Sequence, residues 1–147
     1  MLRFYPADSD RTGGKGAGGT KPPLWIDVFD PSADEVAHIE KMTGAVLPSV
    51  GALSEIQASR RLRNEHGVLY MSTPSAAMHP EQSQVTPPLG FVLSRDQLIT
   101  VRFMALATFD AVAGKFAAGR ETPKSSLDVF VLLCEEIVDR VADTLEH

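Results

Sequence analysis

Four short stretches rich in apolar, β-branched and aromatic residues, at 24–29, 68–73, 89–93 and 98–103, are each of strand length, with segments of helical period after the first of them and again after the last. That alternation admits few folds, because strands and amphipathic helices in one chain must bury their apolar faces against each other. It predicts an α/β class with a mixed β-sheet sandwiched between helices (α/β/α), ending in a long amphipathic helix. The first strand is stopped by Asp30-Pro31, and Ser32 with Glu35 three positions on is a capping-box spacing. The helix it opens carries Val36, Ile39 and Met42 as an apolar stripe and closes at Gly44, leaving Glu40 and Lys41 to face water. A second short helix is expected over 48–56, with Val50, Leu53 and Ile56 inward.

The segment between the second and third strands holds Pro74, Pro80, Pro87 and Pro88 and reads as a loop. Ser94-Arg95-Asp96-Gln97 reads as a tight turn that makes the third and fourth strands an antiparallel hairpin. Phe109, Val112 and Phe116 then mark a helix over 105–118 closed by Gly119. A final helix starts near Ser125 or Ser126, its apolar face formed by Phe130, Leu133, Cys134, Ile137, Val138, Val141 and Leu145. The organisation expected is an N-terminal strand and Gly/Pro-rich flexible loop over 1–23, then one α/β domain over 24–147.

At 147 residues, 44% hydrophobic and 22% charged, the chain suits one folded domain. A lone Cys134 forms no internal disulfide, so a reducing cytosolic setting is expected. No apolar stretch reaches the ~18–20 residues of a membrane span, and the first residues lack a signal-peptide core. The net charge of −5 argues against a nucleic-acid partner. Residues 125–147 hold six acids against Arg140, which accounts for all of that net charge.

Catalytic chemistry finds no footing. The glycines at 13–19 lack the Gly-Lys-Ser/Thr ending of a phosphate loop, and Pro22-Pro23 stand where a helix would have to begin. His38, His66, His79 and His147 show no metal-ligand spacing, with His79 and Glu81 the faintest of cation candidates. Cys134 sits on an apolar helix side, where a thiol is usually inert. No Ser or Cys has a His and acid companion, so no enzyme is expected. The acids Glu136, Asp139, Asp143 and Glu146 follow spacings of three, four and three along one helical face. Carboxylates suit magnesium, which usually takes one or two of them and keeps waters; the plain alternative is a solvated helix face.

Taken in order, several motifs resemble the CorA-like family of magnesium and related divalent-cation transporters, its zinc-transporting branch included. They are Trp25-Ile26-Asp27-Val28 with Pro31-Ser32 and Glu35, Glu55-Ile56 with Ser59-Arg60, and Val68-Leu69-Tyr70-Met71. Gly90-Phe91-Val92-Leu93, Leu98-Ile99-Thr100-Val101-Arg102 and the closing run from Glu136 to Glu146 complete the series. The resemblance implies a cytoplasmic regulatory domain of a pentameric transporter, with cations bound between subunits holding the channel closed. The family's membrane helices and Gly-Met-Asn pore signature are absent, so the chain is expected to be a soluble portion that does not itself conduct. The closing Leu145-Glu146-His147 reads equally as native sequence or as a cloning remnant. Expected partners are other copies of itself and the membrane part, with magnesium or another divalent cation as a regulatory ligand. A free-standing soluble binding module of the same fold is the alternative.

Overall fold

Alternation along one strand decides the layering. In Trp25–Phe29 the side chains of Trp25 and Asp27 point to one face of the sheet and those of Ile26 and Val28 to the other, and all four are buried because helices cover both faces. The computed structural model describes residues 1–5, 23–49, 51–54, 62–74, 88–120 and 122–146. Six strands, β1 (Leu2–Tyr5), β2 (Trp25–Phe29), β3 (Leu62–Glu65), β4 (Val68–Pro74), β5 (Pro88–Leu93) and β6 (Leu98–Arg102), form one sheet in the order β1-β2-β6-β5-β4-β3. Only β2 and β6 run parallel, pairing Trp25 with Leu98 through Phe29 with Arg102. The other four pairings are antiparallel.

Helix α1 (Ala33–Thr43) begins as expected: Glu35 N–H donates to Ser32 Oγ at 3.2 Å, and Ser32 N–H donates to Glu35 Oε1 at 3.1 Å. It ends at Gly44, whose φ of 74° suits a residue without a Cβ. Its buried contact is Ile39, in the cluster of Ile26, Val28, Leu47, Tyr70, Val92, Ile99 and Val101. Met42, expected inside, is 42% exposed. Glu40, expected in water, instead accepts the Leu47 N–H at 3.0 Å and ties down the chain leaving the helix.

The opposite face carries α2 (Ala107–Ala117) and α3 (Ser126–Glu146), the elements expected at 105–118 and from 125 or 126 onward. Phe109, Val112, Val129 and Leu133 pack there with Trp25, Leu89, Phe91 and Leu98. Trp25 is the centre of an aromatic group, stacked on Tyr5 at 4.7 Å and edge-on to Phe109 and Phe116, both at 5.9 Å. The α3 start is held by its caps: Asp128 N–H donates to Ser125 Oγ, and the Ser126 hydroxyl reaches the carbonyls of Ser94 and Arg95 in the β5–β6 turn.

β3 is absent from the sequence expectation. All four of its residues are exposed, so no apolar alternation announces it, and it exists because Glu65-His66-Gly67-Val68 closes a hairpin. His66 and Gly67 both have positive φ, 53° and 80°, the backbone of a two-residue turn that matches strand twist. Residues 51–54 are helical, with Leu53 fully buried, within the short helix expected over 48–56. The rest of that helix beyond 54, the Gly/Pro-rich segment at 6–22 and the proline-containing loop at 75–87 lie outside the described residues.

Candidate functional site

Residues of α3 carry the acidic stripe expected from sequence, and the fold divides it. Glu136 is drawn against the protein, its side chain 16% exposed, with Lys115 Nζ of α2 at 3.4 Å and Arg140 Nε at 3.5 Å. Its charge is thereby matched on both sides. Asp139 and Asp143 are exposed and make no ion pair among the described residues, while the side chain of Glu146 lies outside them. No group of three or more His, Cys, Asp or Glu is placed to hold a metal among the described residues. Among the described residues of this stripe, Asp139 and Asp143 are thus the acids left without an ion pair, a helical turn apart.

The other candidates stay apart. His38 is exposed on α1, His66 forms the β3–β4 turn, and His79, Glu81 and His147 lie outside the described residues. Cys134 is half-buried, and burial raises its thiol pKa, the opposite of what a nucleophile needs.

Sequence reasoning did not find the buried polar network that joins the two parallel strands β2 and β6. Arg102 donates to Asp27 through Nε and Nη2, the latter at 2.8 Å from Oδ2, with both side chains 3% exposed or less. The Thr100 hydroxyl donates to Asp27 Oδ1 at 3.0 Å and accepts from Trp25 Nε1 at 2.9 Å. Arg102 also lies over the rings of Phe29 and Phe109, at 4.6 and 5.4 Å. A signal did exist: opposite charges at inward positions of two apolar strands, Asp27 and Arg102, each in the motif series. Because the carboxylate and the guanidinium are taken up by each other and their neighbours, the network orders the β2–β6 pairing rather than offering a free group to a ligand.

The outward side of α3 also has shape. A shallow groove of about 300 Å³ is lined by Phe130, Val131, Cys134, Glu135, Val138 and Asp139. A second of about 300 Å³ continues it toward Pro123 and Leu127. Val138, expected on the buried face, is 64% exposed. The helix turns its core face through Val129 and Leu133 instead, and both of these are fully buried.

No family model matches the chain. It is 28% identical over 134 residues to the magnesium transport protein CorA of Wolinella succinogenes, an overlap that takes in 84% of this chain and 40% of that protein. CorA proteins of Campylobacter jejuni and Haemophilus influenzae are each 22% identical, over 131 and 124 residues. The chain thus spans about two fifths of the length of these curated relatives. In fold it is similar to the complete CorA magnesium transporter of Methanocaldococcus jannaschii, with a TM-score of 0.63 and 16% identity over 90% of this chain and 43% of that one. The soluble domain of the same archaeal CorA superposes with a TM-score of 0.55 and 18% identity over 83% of this chain and 50% of that one. With a mixed sheet covered on both faces by helices and sequence similarity along most of its length, this chain is similar to the soluble part of those magnesium transport proteins.

Proposed function

We propose that the chain is the cytosolic regulatory domain of a CorA-like divalent-cation transporter and takes no part in conduction itself. The observation that carries this reading is similarity to magnesium transport proteins across 84% of the chain, joined to the fold of a CorA soluble domain. Among the described residues no helix is long and apolar enough to cross a membrane. The reading places the domain on the cytoplasmic face, working as one of several copies around a pore formed by other parts of the protein.

Within this proposal the cation signal reaches the domain through Asp139 and Asp143. Magnesium usually keeps several waters and uses one or two carboxylates, a requirement that the exposed Asp139 and Asp143 can meet. Glu136 is left out because Lys115 and Arg140 already match its charge.

The transporter reading is tested by the reading frame that encodes the chain: two apolar helices encoded downstream support it, and a stop directly after residue 147 overturns it. The sensing part is tested by melting the protein with and without millimolar magnesium at matched ionic strength. A ligand that binds only the folded state raises the melting temperature by mass action. No rise, or a rise undiminished in the Asp139→Asn/Asp143→Asn double variant, refutes the assignment of those two acids.

A further inference from the structure

Strand alternation sets Tyr70, Ser72, Gly90 and Val92 on the α1 side of the sheet, with Ser72 directly across from Gly90 in the β4–β5 pairing. Gly90 leaves a notch there, and Leu53 fills it: a Cβ on Gly90 would lie 2.7 and 2.9 Å from the two Leu53 methyl carbons. Leu53 is fully buried, and the chain reaches it from α1 through residues 45–49 and 51–54. The bonds that shape this crossing are local. Ala45 N–H donates to Thr43 Oγ1 at 3.2 Å, and Leu47 N–H donates to Glu40 Oε1 at 3.0 Å. Ala52 N–H donates to Ser49 Oγ at 3.1 Å, and Leu53 N–H to the Ser49 carbonyl at 2.9 Å. Leu47 and Leu53 themselves meet the sheet through apolar contact.

Beside the notch stands a hydroxyl out of balance. Ser72 is 4% exposed, and among the described residues its Oγ has no hydrogen-bond partner. A buried hydroxyl in that state is destabilising until water reaches it. Burial of Leu53 therefore holds the crossing segment down while hydration of Ser72 favours lifting it, two opposed effects of similar size. We propose that residues 45–54 are a strap that lifts from the β4–β5 part of the sheet as a local unit. Leu53 is its latch in the Gly90 notch, and Ser72 is the group whose hydration favours the open form. Opening bares Ser72 and the notch, while α1 stays anchored by Ile39 among Ile26, Val28, Ile99 and Val101 of the central strands. The strap is independent of the transport reading.

Native-state hydrogen exchange followed by NMR separates such an opening from global unfolding, because a local opening exposes little surface and responds weakly to urea. The reporters are the amides of Leu47 and Leu53 in the strap and that of Leu98, which is bonded to the Leu24 carbonyl at 2.8 Å. After correction for intrinsic rates, the strap amides are expected to exchange at least tenfold faster than Leu98, with little dependence on urea. Ser72→Ala, which removes only the hydroxyl, is expected to slow both strap amides at least fivefold. Gly90→Ala, which crowds the latch, is expected to speed them at least fivefold. Strap amides that share the urea dependence of Leu98 overturn the proposal, because no separate unit then opens. So does a Ser72→Ala variant that slows Leu98 but not Leu53, because Ser72 then stays covered when the strap lifts. Strap rates unchanged by Gly90→Ala overturn it as well, since Leu53 is then not the latch.

Discussion

Replacing Arg102 by Met should be among the most damaging single changes available to this protein. The pair it breaks is buried, with side-chain exposures of 3% for Arg102 and 2% for Asp27. The change leaves the Asp27 carboxylate with the Thr100 hydroxyl as its hydrogen-bond partner. Removing one member of such a pair costs about 3–5 kcal/mol, since the remaining charge stays buried without its counter-ion. For a chain of this size that is a fall in melting temperature of roughly 10–15 °C. The Asp27→Leu/Arg102→Met double variant removes both charges, and such replacements are often neutral or stabilising by about 1–4 kcal/mol. It should therefore recover most of the loss, giving a large favourable coupling in a double-mutant cycle. Urea unfolding followed by circular dichroism supplies the free energies. Trp25, the only tryptophan and fully buried, reports locally through its fluorescence because its Nε1 is bonded into the same network. A single-variant loss under about 1 kcal/mol, or a double variant whose loss equals the sum of the singles, would refute the reasoning that buried charge dominates here.

Gly90→Ala places a Cβ 2.7 and 2.9 Å from the two methyl carbons of Leu53, which is fully buried and has little room to yield. A loss of about 1–3 kcal/mol in urea unfolding is expected, and it should shrink when Leu53 is also Ala. For Glu35, hydrogen bonding from the Ser32 backbone and then from the Met1 amino group holds the carboxyl below its ordinary value of 4.5. Its contribution is therefore complete above that value and lost as the pH falls through the lower folded value. Glu35→Gln should flatten that part of the acid limb of a stability–pH curve, and an unchanged limb would contradict the assignment. Cys134, whose thiol pKa is raised by burial, should react with a disulfide reagent at pH 8 more slowly than a free thiol and speed up in urea. An unhindered rate in the folded protein would show that the thiol is not held in this packing.

Reading the chain and seeing it folded give answers of different kinds. Residues 24–29, 68–73, 89–93 and 98–103 announce strands because strand preference and alternation act over a few neighbours. The Ser32–Glu35 box and Gly44 announce the ends of α1 for the same local reason. The β5–β6 hairpin was legible from its turn, since only four residues separate its strands. The motif series Trp25-Ile26-Asp27-Val28 to Arg102 was legible too, and it pointed to the family that sequence and fold comparison then supported.

What lay beyond reach depends on which surfaces meet. The β2–β6 parallel pair joins segments about 70 residues apart, so the bond from Arg102 to Asp27 has no local signature. β3 is fully exposed and exists through its turn and its partner, leaving no apolar pattern to read. Along α3, period alone cannot say which apolar residues face the sheet: Val129 and Leu133 do, Val138 does not. Lys115 arrives from another helix to meet Glu136 and sets it apart from the exposed Asp139 and Asp143, a division that no spacing along one helix contains. Helix periodicity specifies that a face will be buried, while the neighbour that buries it is chosen only when the layers pack.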